Sequence, residues 1–287
     1  MIPILKRELR SYFLTSLGFV YMGFFLLITG VYFVFINLLP GSSQFSSFLG
    51  SILLIYLFAI PMLTMRLFSE ERRQKTDQLL LTAPLGVTEI VLGKFFAAGL
   101  LFLMTFAVTA LYAVVIGLFG ELSLGETIGG CIGFIFLGAS YISVGVFISA
   151  ATENQITAGI VSFFCLLGLW LLDSVSRIFP ADVTSGLIAA GVLSAFIGLL
   201  LYLNTKHYGI ALGGLFVCAI VIASLYFFKR NIFNGFILKV FSWFSLNQRY
   251  QNIALGILKI ETLFYYASFC GFFLFLTVQL IEKRRWS

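Results

Sequence analysis

Long apolar runs, separated by short polar segments, fill most of the chain. Eight runs occur, near residues 14–36, 48–68, 95–119, 128–150, 157–173, 186–203, 208–228 and 263–281. A helix of about 20 apolar residues crosses the hydrocarbon core of a bilayer, and in lipid it pairs all of its own backbone groups. The pattern therefore predicts an all-α polytopic membrane protein with eight spans, of which the sixth and seventh form a tight hairpin over residues 186–228.

The composition agrees with burial in lipid. Hydrophobic residues make up 60% of the chain and charged residues 10%, whereas a soluble domain must cover its surface with polar groups. The net charge of +6 does not indicate nucleic-acid binding, because the basic residues flank the apolar runs and form no basic face with interleaved aromatic residues. The four cysteines all lie within apolar runs, so we expect small buried hydrophobic residues and neither disulfides nor metal ligands.

Eight spans place both termini on the same side of the membrane. With the termini in the cytoplasm, the inner loops hold about twice as many Lys and Arg residues as the outer loops, so the positive-inside rule predicts cytoplasmic N and C termini. We expect one transmembrane domain over residues 1–287, with an interfacial helix at 2–13, a cytoplasmic loop at 66–94 and an extracytoplasmic amphipathic segment at 229–262.

A run of small residues opens the fourth span. Gly125, Gly129 and Gly133 recur at every fourth position, and this spacing lets two helices approach closely. The neighbouring helix can belong to the same chain or to a second copy, and the sequence leaves both open.

The loop at 66–94 is the most highly charged part of the chain, with nine charged residues between two apolar runs. Acidic Glu70 and Glu71 favour the start of a helix, which Ser69 can cap and which Pro84 ends. Thr88 can cap the next helix, which leads into the third span. The pattern predicts a short, rigid helix that projects into water between two spans.

The chain carries no recognisable catalytic motif. It has no HExxH, no GxSxG and no Walker A sequence, and the sole histidine, His207, lies in a short loop where a solvated side chain is expected. The spans hold almost no ionisable residue at mid-depth, which disfavours an ion-coupled carrier. We therefore predict no catalytic residue, no metal site and no enzyme activity in this chain, and energy supplied by a partner.

Several motifs resemble the first cytoplasmic loop of ABC-2-type permeases. They are, in order, Glu70, Glu71, Arg72 and Arg73, then Thr76, then Leu79, Leu80, Leu81, Thr82, Ala83 and Pro84, and then Gly93 and Lys94. Other segments are similar to the gliding-motility-associated, GldF-like branch: Leu63 to Arg66, Thr152 to Gln155, Glu282 to Trp286 and the start from Lys6 to Phe13. The resemblance covers residues 1–175 and 245–287.

The resemblance implies a type V exporter-like core of six helices, with the hairpin at 186–228 as an addition. It implies the permease subunit of an ATP-binding-cassette transporter in the bacterial plasma membrane, coupling ATP hydrolysis by a separate subunit to substrate movement, with export the expected direction. The partners would be a cytoplasmic ABC ATPase that binds ATP and Mg, a second permease copy or paralogue, and a GldG-like extracytoplasmic auxiliary subunit. Carried over, the ATPase-coupling residues would be Glu70, Glu71, Arg72, Thr76, Leu80, Thr82 and Pro84, and the second cytoplasmic loop Thr152, Glu153, Asn154 and Gln155.

The sequence departs from the family pattern at two places, and it leaves two other functions open. Gln78 stands where glutamate is expected, and the hairpin at 186–228 exceeds the usual six spans. An ATP-driven machine that acts on an extracytoplasmic partner without moving a solute would use the same loop. A secondary carrier or channel would need no ATPase.

Overall fold

The computed structural model describes residues 1–76, 86–178 and 245–285, together with isolated residues between 182 and 243. The chain divides into two compact units, residues 1–169 with 246–287 and residues 170–245. Most of the undescribed residues belong to the second unit, so the features below are those of the first.

The described residues form helices and no strands. The helices are α1 (Ile2–Leu14), α2 (Ser16–Phe33), α3 (Phe45–Ile52), α4 (Tyr56–Thr64), α5 (Ser69–Arg73), α6 (Val87–Phe119), α7 (Leu124–Ala151), α8 (Gln155–Ile178), α9 (Leu246–Ala254) and α10 (Ile260–Arg285). A π-helical turn, Val34–Leu38, extends α2, and a 3₁₀ turn, Leu53–Ile55, joins α3 to α4.

Among the described residues, six helical stretches are long and apolar enough to cross a membrane: Ser16–Leu38, Phe45–Arg73, Val87–Phe119, Leu124–Ala151, Gln155–Leu172 and Ile260–Arg284. They coincide with six of the eight predicted runs, so helices at those positions are confirmed. The runs at 186–203 and 208–228 lie outside the described residues apart from isolated positions, as does the segment 229–241.

The N-terminal segment predicted at 2–13 forms α1. Thr15 is extended, with φ −95° and ψ 152°, so α1 and the first span are separate helices. The Tyr12 hydroxyl donates to the Leu63 carbonyl at 2.8 Å, and Ile4 packs so closely on Gly93 that a Cβ there would lie 2.9 Å from it. Helix α1 is therefore held against both α4 and α6, while its position at the membrane surface stays a prediction.

Helix α7 forms the centre of the first unit. It contacts α3, α4, α6, α9 and α10. In its most apolar stretch 67% of the residues are buried, compared with 17% in α10. Its small residues explain this position, since Gly138 faces the Phe102 ring and Gly145 faces the Thr64 side chain at distances that exclude any larger residue. The fourth span thus contacts α3, α4, α6, α9 and α10 directly.

The glycine stripe at the start of α7 receives α9. A Cβ at Gly129 would lie 2.4 Å from the Ile253 carbonyl oxygen, and one at Gly133 would lie 3.0 Å from the Tyr250 ring. At Gly125 a Cβ would meet nothing within 4 Å. The sequence left open whether the helix against this stripe belongs to the same chain or to a second copy. At Gly129 and Gly133 it is α9 of the same chain. This packing buries Tyr250 and Ile253 against the fourth span.

Candidate functional site

Charged side chains from five parts of the chain meet at one end of the first unit, which we name the charged end. They come from α1, the α4–α5 segment, α6, the α7–α8 loop and the last turn of α10. The members are Arg7, Glu8, Arg66, Glu70, Glu71, Arg72, Lys94, Glu153 and Arg284.

Lys94 is the centre of this group. Its side chain is 1% exposed, and its Nζ lies 3.2 Å from Glu8 and 2.9 Å from Glu71. The ammonium group also donates to the Leu67 carbonyl and lies 4.9 Å from the centre of the Phe68 ring. A buried cation is stable only when it is paired and hydrogen-bonded, so this lysine requires both carboxylates. One residue of α6 thereby binds α1 and α5 together.

Arg7 completes a four-charge network. Its Nη2 lies 2.8 Å from Glu8 and 2.8 Å from Glu71, so each carboxylate contacts two cations and the network is neutral overall. Burial acts to raise the pKa of Glu8, but Lys94 and Arg7 outweigh it and hold this pKa below its ordinary value. Burial acts to lower the pKa of Arg7, but Glu8 and Glu71 raise it above its ordinary value. Glu8 and Arg7 are thus both stabilised in their charged forms.

Glu70 is also paired within the chain. It accepts hydrogen bonds from the guanidinium of Arg66 and, at 3.2 Å, from the side-chain amide of Gln74. Both acids predicted to contact a partner, Glu70 and Glu71, therefore bind neighbouring residues of their own chain. Their direct role in this structure is to hold the loop in place.

The predicted helix from Glu70 to Pro84 is wrong in its limits. Helix α5 spans only five residues, Ser69–Arg73, and no side chain caps its start. The Ser69 hydroxyl donates back to the Met65 carbonyl instead of capping α5. Lys75 takes a left-handed conformation, φ +57°, which cannot continue a right-handed helix.

Other residues predicted for this loop differ or lie outside the described part. The next helix begins at Val87 after Gly86, so Thr88 is inside it and is not its cap. Leu80, Thr82 and Pro84, together with Gln78, belong to residues 77–85, outside the described residues.

The second predicted loop meets the first. Arg72 contacts Glu153 at 2.5 Å, and Thr152 ends α7. The Asn154 side chain accepts the Ile156 amide hydrogen at 2.9 Å and so caps the start of α8, whose first residue is Gln155. The structure therefore brings together the two loops that the sequence placed on one side of the membrane.

A polar cavity of about 340 Å³ lies between α1, α5 and α6. Ser11, Thr15, Arg66, Thr76 and Lys94 are among the residues that line it. Thr76, predicted as a coupling residue, is exposed at its edge and donates its hydroxyl hydrogen to the Glu71 carbonyl at 3.2 Å.

Comparison with known families decides the class of the protein. The family model described as "ABC-2 family transporter protein" matches residues 36–185, just over half of the chain. The matched stretch includes Arg66 to Lys94 and Thr152 to Gln155. This chain belongs to the ABC-2 transporter family. A search of curated proteins found no significant match.

The ABC-2 protein is thus a multi-pass membrane permease of the ABC transporter class, a family without an ATPase motif of its own. The charged end of this permease also carries exposed cations. Within the described residues, Lys6, Arg10, Arg73 and Lys75 are exposed and form no ion pair. The side chains of the permease that remain available to another molecule here are mainly basic.

The sequence missed several residues of the charged end. The sequence marks Arg7, Glu8 and Lys94 only as flanking charges or parts of motifs, and Arg284 only as part of the segment from Glu282 to Trp286. Arg284 in fact donates to the Ala150 carbonyl at 2.7 Å, which joins the end of α10 to the end of α7. One signal was present: Lys94 lies seven residues after Val87, the start of α6, and no charged residue follows it in that helix, so its position demands partners.

Proposed function

We propose that this chain is the transmembrane permease subunit of an ATP-driven transporter, and that its charged end is the cytoplasmic surface on which a separate ABC ATPase docks. Hydrolysis of ATP, with Mg, in that ATPase would be coupled through the charged end to substrate movement, with export the direction we propose. Membership of the ABC-2 family supports the permease role. The complex would contain a second permease copy or paralogue in a bacterial plasma membrane, and the GldF-like branch would add a GldG-like extracytoplasmic subunit.

The network around Lys94 is the observation that carries this proposal. A five-residue helix in water does not hold its own shape, because nucleation of so short a helix is unfavourable. Here the ion pairs of Glu71 attach α5 to α1 and α6, and the Arg72–Glu153 pair attaches it to the end of α7. A displacement of α5 therefore moves α6 and α7, the third and fourth spans, as well as its own span.

The distribution of charge supports an external energy source. Among the described residues, Lys94 is the one charged side chain that is buried, and it lies near the start of its span. Carriers driven by ion gradients use ionisable groups within the membrane. An ATPase partner supplies the energy without such groups.

Purification of the tagged permease from its native membranes tests the proposal. We expect an ABC ATPase to co-purify, and its hydrolysis in the reconstituted complex to depend on the permease. Glu71→Lys places a third cation beside Arg7 and Lys94, so the permease should lose most of its effect on ATP hydrolysis. Gln74→Lys is the matched control, because it introduces the same residue three positions later at an exposed side chain whose hydrogen bond to Glu70 a lysine can also donate.

Two results would contradict this function. One is the absence of any ATPase from the purified complex under conditions that retain the fold. The other is equal stimulation of ATP hydrolysis by the Glu71→Lys and Gln74→Lys permeases.

A further inference from the structure

A four-residue turn, 65–68, joins α4 to α5, and a side chain from another span binds the backbone of this turn. The backbone amides of Phe68 and Ser69 stand at the start of α5, where a helix leaves its N–H groups without partners. Both donate to the Oγ of Ser149, at 3.1 Å and 3.3 Å. Ser149 lies in the last turn of α7, about 80 residues away in sequence.

The same hydroxyl also closes the other side of the turn. Ser149 donates its hydrogen to the Met65 carbonyl at 3.2 Å, next to the end of α4. A serine hydroxyl has one donor and two acceptor sites, and all three are used here. Ser149 is fully buried, so water cannot replace these bonds.

Close packing one turn earlier makes the contact possible. A Cβ at Gly145 would lie 2.2 Å from the Thr64 hydroxyl oxygen, so the Thr64 side chain of α4 packs directly on the backbone of α7. Gly145 and Ser149 are four residues apart and share one face of α7. At this separation the short serine side chain reaches the backbone of the turn directly.

The last turn of α7 and the residues just after it therefore contact α5 at two points. Ser149 binds the first turn of α5, and Glu153, just beyond α7, binds Arg72 near its end. Arg284 fixes the carbonyls of Ala150 and Ala151 at 2.7 Å and 3.4 Å from the α10 side. The direction of α5 is set by the fourth span and not only by the chain that leads into it.

We propose that Ser149 is a positioning residue that fixes the direction of α5 relative to α4, so that a displacement of the docking surface passes directly to the fourth span. The effect of Ser149 on coupling rests on the proposed function, whereas its contact with α5 does not. Its two parts can be tested separately.

Hydrogen exchange of the full-length permease without any ATPase tests the contact. In Ser149→Ala the Phe68 and Ser69 amides lose their acceptor, and we expect them to exchange at least about tenfold faster. Ser143→Ala is the matched control, since Ser143 is also fully buried on α7, but its bonds, to the Ser140 carbonyl at 2.7 Å and with Cys270 of α10, do not involve α5. Exchange in residues 100–115 should be unchanged in both variants, which shows that the bundle is folded.

The reconstituted complex tests the consequence. Ser149→Ala should still bind the ATPase but reduce the permease-dependent stimulation of hydrolysis by about twofold to thirtyfold, the range that coupling residues show. Ser143→Ala should leave it unchanged. Equal exchange of Phe68 and Ser69 in the two variants would overturn the positioning role, and so would faster exchange with full stimulation. Failure of any ATPase to bind the unmodified permease would instead refute the proposed function and leave the exchange result standing.

Discussion

Replacement of Lys94 by methionine is the most informative single change at the charged end. Methionine keeps an unbranched apolar chain but removes the ammonium group, so Glu8 and Glu71 lose their buried partner. Arg7 remains at 2.8 Å from each carboxylate. We expect α1 to detach from α6 far more often, while the six spans stay folded.

The magnitude follows from burial. Removal of one partner from a fully buried ion pair costs about 3–5 kcal/mol, because the other charge is left without compensation. The Glu8 and Glu71 side chains are 14% and 21% exposed and keep Arg7, so the cost falls to about 2–3 kcal/mol. This shifts the opening equilibrium of α1 about 30-fold to 140-fold.

Hydrogen exchange of residues 2–14 in nanodiscs measures this opening. Lys75→Met is the control, because Lys75 is exposed and forms no ion pair within the described residues. In a Glu8→Gln background the effect of Lys94→Met should shrink, since one carboxylate no longer needs the lysine. Equal exchange of α1 in Lys94→Met and Lys75→Met would refute the reasoning.

Three further changes test other contacts. The Glu8 carboxylate has a lowered pKa, so its contribution to the free energy of unfolding is complete above the ordinary carboxyl pKa of about 4.3 and is lost as the pH falls through the lowered value. On acidification, the melting temperature in detergent should therefore fall less in Glu8→Gln than in the parent. An equal fall in the two proteins would contradict this. Arg72→Glu and Glu153→Arg should each destabilise the folded permease. The double variant should recover less than about 1 kcal/mol of that loss in a double-mutant cycle measured by melting, because Glu153 is 75% exposed. Purely additive effects of the two substitutions would refute the ion pair. Gly129→Ala should destabilise the packing of α9 on α7 by about 1–3 kcal/mol through overpacking, whereas Gly125→Ala should not. Hydrogen exchange of residues 246–254 measures this difference. Similar exchange in the two variants would show that the glycine stripe does not hold α9.

The spans were predictable because each is a local property of the sequence. About 20 apolar residues in a row must form a helix in lipid, wherever the rest of the chain lies. The positive-inside rule also placed both polar loops on one side, but it did not predict a contact between them. Six of the predicted spans follow from the first argument, whereas the contact between Arg72 and Glu153 is seen only in the structure.

The network around Lys94 could not be predicted in the same way. Glu8 and Lys94 are 86 residues apart, and no local pattern distinguishes a topogenic lysine from a buried one with partners. The limits of α5 were also set by tertiary contacts. The Ser69 hydroxyl, expected to cap the helix, donates to the Met65 carbonyl, and Ser149 from another span accepts the Phe68 and Ser69 amides. The left-handed Lys75 ends a helix that the sequence continued to Pro84.

Photo-crosslinking in living cells tests the central claim most directly. A photoreactive phenylalanine analogue at Arg73, which is exposed at the charged end, should form a covalent product with an ABC ATPase identified by mass spectrometry. The same analogue at Phe119, 89% exposed at the opposite end of α6, should give no such product. An ATPase product from Phe119, or none from Arg73 in a complex that contains the ATPase, would contradict the assignment of the charged end as the docking surface.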